Sequence, residues 1–66
     1  MQITVNGETH SLSAADSLAN LLQQLGYGGE AFAVAVNGDF VARAEYAQTP
    51  IGDGDRVDVV APVVGG

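Results

Sequence analysis

The 66-residue chain contains no cysteine and no lysine, and nowhere does it carry an apolar run of membrane-spanning length. Without cysteine, disulfides, thiolate metal ligands and a cysteine nucleophile are excluded. Only two arginines oppose eight acidic residues, which gives a formal net charge of −6. Nucleic acids and anionic membrane surfaces require basic side chains, so the composition disfavours both as partners. No signal-peptide pattern is present either, and we expect a cytoplasmic protein.

Few side chains offer chemistry inside the fold. His10 is the single histidine, and without cysteine or paired carboxylates around it we expect an exposed strand residue, not a metal ligand. The Gly-Asp-Gly-Asp run at 52–55 lacks the bidentate glutamate of a calcium loop and is typical of a turn. No serine has a credible base, and no acidic pair is placed for acid–base work. We therefore expect no catalytic residue and no metal or cofactor site within the folded body.

Alternation of apolar and polar residues predicts five short strands. They are expected at residues 1–5, 8–12, 32–36, 39–42 and 56–61. Asn-Gly pairs at 6–7 and 37–38 favour type I′ turns, because both central positions of that turn need a positive φ. The first and second strands, and the third and fourth, are therefore predicted to form hairpins. Thr49 and Pro50 indicate a break in the chain before the last strand.

A single amphipathic helix is predicted between the two hairpins, after a plain connector at residues 13–16. Leucines at 18, 21, 22 and 25 repeat with helical spacing and form one apolar stripe. Ser17 is the expected N-cap, with Asp16 as the competing cap, and Gly26 supplies the left-handed position that ends helices. Residues 43–49 are polar and are expected to be irregular, with one helical turn around residues 45–47.

The resulting ββαββ order predicts an α+β fold in which one helix covers one face of a single sheet. We assign residues 1–61 to this domain and residues 62–66 to a flexible tail. The second face of the sheet has no helix to cover it. Apolar residues there either stay exposed to water without contributing to the core or form a docking surface. If Val57 and Val59 point inward, Asp58 and Val60 point outward.

The last five residues are the most distinctive part of the sequence. Pro62 cannot donate to a sheet ladder, and Gly65 and Gly66 lack a Cβ and are costly to order. No charged anchor holds this segment, so we expect it to be mobile. Its terminal carboxylate is ionised at neutral pH and reacts poorly until activated. A segment this thin can enter the narrow active site of another protein, so Gly66 is either a reactive handle or a frayed end.

These features together resemble the ubiquitin-like β-grasp sulfur carriers, above all those of thiamine biosynthesis. The residues that carry the resemblance are Ala35-Val36-Asn37, Val41 with Arg43, Ala47-Gln48, Asp53-Gly54-Asp55 and Val63-Val64-Gly65-Gly66. The resemblance covers the whole chain and rests on the order of these motifs, the length and the terminal Gly-Gly. The sequence departs from the family's pattern at Ala42, where proline is common, at Tyr46, where tryptophan is common, and at Pro62.

The resemblance implies a mixed sheet of about five strands and a role as a carrier, not an enzyme. A separate adenylyltransferase, related to ubiquitin-activating enzymes, would use MgATP to adenylate the Gly66 carboxylate. Sulfur from a cysteine desulfurase persulfide would then give a thiocarboxylate, which thiazole synthase uses to build the thiazole ring of thiamine. The expected docking residues, beside Gly65 and Gly66, are Asp58, Val60, Val63 and Val64.

Two alternatives remain open at the level of sequence. The small subunit of molybdopterin synthase shares the fold, the Gly-Gly end and the thiocarboxylate, although those chains are usually longer than 66 residues. The second alternative is a ubiquitin-like modifier or interaction module without sulfur chemistry. With no lysine, such a modifier could not form isopeptide-linked chains on itself.

Overall fold

The computed structural model describes residues 1–27 and 33–60, which form seven strands, one α-helix and one 3₁₀ helix. The strands are β1 (Gln2–Val5), β2 (Glu8–Ser11), β3 (Asp16–Ser17), β4 (Ala33–Val36), β5 (Asp39–Val41), β6 (Pro50–Ile51) and β7 (Arg56–Val60). Helix α1 spans Leu18–Gln24, and the 3₁₀ helix spans Arg43–Gln48. The predictions for Phe32, for the glycine pair at 28–29 and for residues 61–66 lie outside the described residues.

Five of the strands form one sheet in the order β2-β1-β7-β4-β5. β1 and β7 run parallel, whereas the other neighbouring pairs are antiparallel. The sheet is therefore mixed, and its central strand is the last strand of the described residues. Within the described part of the chain, the predicted fold of one mixed five-stranded sheet with one helix on one face is confirmed.

The core lies between α1 and the sheet. Its buried apolar residues are Ile3, Val5, Leu18, Leu21, Leu22, Val34, Tyr46, Ile51, Val57 and Val59. The predicted helical stripe is confirmed for its first three leucines, while Leu25 is half-buried at the C-cap. Because the buried residues of the described chain are nine aliphatic side chains and one tyrosine, this core is small, and each large residue in it carries a substantial share of the stability.

Both predicted hairpins form. Asn6 and Gly7 have φ values of 52° and 83°, and Asn37 and Gly38 have values of 52° and 87°. These are the positive angles that a two-residue type I′ turn needs. The first turn sets the β1–β2 register, in which Val5 lies opposite Glu8, and brings β2 back along the edge of the sheet.

The N-terminus of α1 is capped by Ser17, as predicted, and the competing candidate Asp16 supports the cap from the position before it. The Asn20 N–H donates to Ser17 Oγ at 3.2 Å, so Ser17 is the N-cap. Asp16 accepts the Ser17 N–H and the Asn20 side-chain amide, each at 2.8 Å. The Asn20 side-chain bond is the larger of the two causes that lower the pKa of Asp16 below its ordinary value.

The C-terminus of α1 ends at a glycine, as predicted. Gly26 has a φ of 90°, a left-handed conformation that costs an L-residue with a Cβ roughly 1–2 kcal/mol. The Gly26 N–H donates to the Gln23 carbonyl at 3.1 Å, and the Tyr27 N–H donates to the Leu22 carbonyl at 2.8 Å. This pair of bonds is a Schellman motif, and it satisfies two carbonyls that the helix leaves open.

Two segments differ from the sequence predictions. The predicted break at Thr49 and Pro50 is wrong as stated, because Pro50 begins strand β6. This strand pairs antiparallel with β3, which starts at Asp16, in the segment predicted to be a plain connector. Proline is tolerated in this short strand because an edge position needs no ladder donor. The helical turn predicted at 45–47 is part of a longer 3₁₀ helix, whose buried Tyr46 ties it to the core.

Candidate functional site

The functional candidates converge on β7, because the predicted tail follows this strand directly in sequence. β7 lies at the centre of the sheet, between β1 and β4. Val57 and Val59 are buried under α1, while Val60, the last described residue, is 64% exposed. The predicted alternation of this strand is therefore confirmed, and Val60 lies on the face of the sheet opposite α1.

That open face carries further apolar side chains. In the cross-strand register Val60 lies opposite Ala33, and Ala35 lies between Asp58 and Phe40. Directly paired residues share a face of the sheet, and Phe40 is 72% exposed. We refer to Ala33, Ala35, Phe40 and Val60 as the open-face patch. Apolar side chains grouped in this way beside a strand end are suited to contact with another protein.

Charged side chains border the open-face patch on β7. Arg56 Nε lies 3.3 Å from Asp58 Oδ2, and the two side chains are 58% and 40% exposed. An ion pair this exposed contributes only about 0–1 kcal/mol to stability. The predicted outward position of Asp58 is confirmed.

Asn6 completes the ladder between β1 and the end of β7. The two strands pair through Thr4 with Arg56 and Val5 with Val57, and the Asn6 N–H still donates to the Val57 carbonyl at 2.9 Å. Beyond that point β1 has turned into the hairpin. The side chain of Asn6 takes over, because its Oδ1 accepts the Val59 N–H at 2.7 Å.

The start of β7 is held by side-chain hydrogen bonds around Asp55. This carboxylate accepts the Gly52 N–H at 2.8 Å and the Asn37 side-chain amide at 3.0 Å. These donors favour the ionised form and lower the pKa of Asp55 below its ordinary value, with the Gly52 bond as the larger cause. Asn37 Oδ1 in turn accepts the Arg56 N–H at 2.9 Å. The asparagines of the two hairpins thus bond to opposite ends of the same strand.

The described residues include no group of three or more histidine, cysteine, aspartate or glutamate side chains that could hold a metal ion. His10 lies on strand β2, as predicted, opposite Ile3, but it is half-buried and not the exposed residue we expected. The alternation of β2 explains this, since the partner of a core residue faces the helix side of the sheet. None of the helices in residues 1–27 and 33–60 is long and apolar enough to cross a membrane.

Of the predicted site residues, the structure places Asp58 and Val60 together on the open face. Val63, Val64, Gly65 and Gly66 lie outside the described residues, so the tail and the domain boundary at residue 61 stay predictions. Phe40 is the functional candidate that sequence reasoning missed. The signal for it was present, because an inward Val41 in a strand requires an outward neighbour.

Comparisons with known proteins agree with this geometry. A sequence profile of the ThiS family matches residues 3–66. The Escherichia coli sulfur carrier protein ThiS is 32% identical over 66 residues, covering 100% of both chains. A thiazole synthase from Paramagnetospirillum magneticum is 36% identical over 66 residues, and the chain spans 20% of its length. The crystal structure of the thiamine biosynthesis protein ThiS from Geobacter metallireducens superposes with a TM-score of 0.85 at 29% identity, with 100% of both chains covered.

The mixed sheet, its single covering helix and the structural match define a ubiquitin-like β-grasp protein. Within that class the chain belongs to the ThiS family, the sulfur carrier proteins of thiamine biosynthesis. The resemblance drawn from the sequence motifs is thereby confirmed.

Proposed function

We propose that the protein carries sulfur as a thiocarboxylate on Gly66 and delivers it for formation of the thiazole ring of thiamine. A partner adenylyltransferase uses MgATP to convert the Gly66 carboxylate into an acyl-adenylate, and pyrophosphate leaves. The terminal sulfur of a persulfide donor, such as that of a cysteine desulfurase, then attacks the acyl-adenylate and displaces AMP, and a second thiol cleaves the resulting acyl disulfide, leaving as a mixed disulfide and releasing the thiocarboxylate. Thiazole synthase takes the sulfur from the thiocarboxylate. The nucleotide and its metal belong to the partner's site, and the carrier acts as a co-substrate.

The match of the ThiS family to residues 3–66 carries this proposal, since it includes Gly65 and Gly66. A carboxylate needs activation before it can exchange oxygen for sulfur, and the groups for that step come from the partner. Two residues without a Cβ suit passage through a constricted active site, where a side chain would collide.

Thiazole synthase is the proposed sulfur acceptor. A protein with that name contains a segment 36% identical to this chain, which makes up 20% of its length. When two functions share one polypeptide, each is held near the other at a high effective concentration. That arrangement supports a functional contact between carrier and synthase, and it favours the thiamine pathway over the molybdopterin pathway.

The open-face patch is the proposed docking surface for the adenylyltransferase, together with Asp58, Val63 and Val64. Val60 and Phe40 offer apolar area that contact with a partner removes from water. The net charge of −6 favours a partner with a basic face, because long-range attraction speeds encounter between opposite charges. Apolar contacts also offset the cost of ordering the C-terminal residues in the partner's active site.

Mass spectrometry of the purified chain tests the proposal directly. After incubation with the adenylyltransferase, MgATP, a persulfide donor and a thiol reductant, we expect one oxygen at Gly66 to be replaced by sulfur. Omission of MgATP is the control and should prevent the exchange. Oxidation of Met1 changes the mass by nearly the same amount, so fragmentation must place the added mass on the last residue.

Deletion of Gly66 is expected to abolish thiocarboxylate formation without changing the melting temperature, because the buried core residues of the described chain all lie between Ile3 and Val59. Circular dichroism and the same mass measurement check both parts. Sulfur transfer by the deletion variant would contradict the carrier function. Isopeptide adducts of the wild-type chain on other proteins would indicate a modifier instead.

A further inference from the structure

We propose that Asn6 is a positioning residue that holds the end of β7, after which the C-terminal residues follow in sequence. It does so because its side-chain oxygen accepts a hydrogen bond from the Val59 N–H. The inference rests on the proposed function, because it concerns how the reactive end is presented to the activating enzyme.

The hydrogen bonds between β1 and β7 follow a regular parallel ladder up to Asn6. The Thr4 N–H donates to the Asp55 carbonyl at 3.1 Å, and the Asn6 N–H donates to the Val57 carbonyl at 2.9 Å. In a continuing parallel strand the residue-6 carbonyl would accept the next donor, the Val59 N–H. With a φ of 52°, however, Asn6 is committed to the hairpin turn. Its amide oxygen, 2.7 Å from the Val59 nitrogen, stands in for that carbonyl.

The opposite side of β7 is held by β4 over the same stretch. Val59 lies opposite Val34, and Val60 lies opposite Ala33. At Val59, next to the last described residue, β7 thus lies between the Asn6 side chain on one side and β4 on the other. Without the Asn6 acceptor, the Val59 N–H loses its partner beside a buried side chain, which favours fraying of the strand end. The activating enzyme would then have to order more of the chain on binding.

Three variants separate the effect of the Asn6 side-chain hydrogen bond from the effect of Asn6 on the hairpin turn. Asn6→Gly tolerates a positive φ and keeps the hairpin but removes the acceptor. Asn6→Asp keeps an oxygen at the same position, and aspartate also tolerates the left-handed region. Asn37→Gly is the matched control, because it removes the equivalent acceptor for the Arg56 N–H at the other end of β7.

Amide hydrogen exchange reports the structural part of the proposal. We expect Asn6→Gly to accelerate exchange of the Val59 amide at least about tenfold relative to wild type, because a frayed strand end is less protected from exchange. Asn37→Gly should accelerate exchange of the Arg56 amide and leave that of Val59 unchanged. Unchanged exchange of Val59 in Asn6→Gly overturns the inference.

The rate of ATP–pyrophosphate exchange by the adenylyltransferase reports the functional part. For Asn6→Gly we expect kcat/KM to fall about tenfold, mainly through KM, because the extra ordering is incurred on binding. Asn6→Asp should restore it, and Asn37→Gly should stay within about twofold of wild type. Equal losses in Asn6→Gly and Asn37→Gly mean a general stability effect and overturn the inference.

The two proposals fail in different ways. If the wild-type chain supports no exchange of ATP with pyrophosphate, the proposed function fails, whatever the hydrogen-exchange result. If Asn6→Gly does not fold, total synthesis of the 66-residue chain with an ester in place of the Asp58–Val59 amide removes the same N–H and leaves Asn6 intact. An ester analogue with wild-type kcat/KM overturns the role of the hydrogen bond.

Discussion

At the scale of single residues, the two hairpin asparagines each have a second role. Their identity is required by the turns, and the sequence predicts that much from the Asn-Gly pairs alone. Their side-chain partners could not be predicted, because Val59 lies 53 residues from Asn6 and Arg56 lies 19 residues from Asn37. Only the assembled sheet, with β7 between the two hairpins, brings these donors within reach.

Asp55 makes the stability of the fold depend on pH. Because its pKa is lowered in the folded state, its stabilising effect is fully present above the ordinary value of about 3.9 and is lost as the pH falls through the lowered value. Asp55→Asn should therefore reduce the free energy of unfolding at neutral pH, and the difference from wild type should shrink as the pH falls from neutral to below the ordinary value of about 3.9. Urea denaturation across this range measures it.

A difference between wild type and Asp55→Asn that stays constant down to the lowest pH would contradict this assignment. Some acid sensitivity should persist in the variant, because the pKa of Asp16 is also lowered, chiefly by the Asn20 side-chain amide. Adding Asp16→Asn to Asp55→Asn should reduce that remainder further.

At the scale of elements, sequence patterns predict what is local. Helix α1, its two ends and both hairpins follow from spacing, capping and turn residues that lie within a few positions of one another. The β3–β6 ladder was missed because each of its strands has two residues, too few for any alternation to be visible. The strand order was equally inaccessible, since the parallel pairing of β1 with β7 joins the two ends of the domain.

The helical stripe leads to a stability prediction. Leu22 is 2% exposed in the core, so Leu22→Ala should lower the free energy of unfolding by about 2–4 kcal/mol through lost burial and the cavity left behind. The matched control is Leu25→Ala, at the half-buried C-cap of the same helix, where the loss should be less than half as large. Urea denaturation measures both, and equal losses would mean that the stripe does not set the core.

At the scale of the whole molecule, the two faces of the sheet have separate tasks. One face and α1 enclose the core, while the other leaves Phe40 and Val60 in solvent. Because the last strand in sequence occupies the centre of the sheet, the described chain ends between two bonded neighbours and next to the open-face patch. This arrangement holds Val60, the last described residue, in a fixed place within the open-face patch, as the proposed contact with an activating enzyme would need.

Val60→Asp tests whether the open-face patch is that docking surface. A charge placed in an apolar contact is costly to desolvate, so affinity for the adenylyltransferase should fall at least about tenfold, or about 1.4 kcal/mol. The melting temperature should change little, because Val60 is 64% exposed. Gln23→Asp adds the same charge on the exposed side of α1 and should leave affinity near wild type. Titration calorimetry measures the affinity of both variants. An unchanged Kd for Val60→Asp would remove Val60 from the interface. Equal losses of affinity in the two variants would mean that long-range charge repulsion, and not a direct contact at Val60, causes the effect.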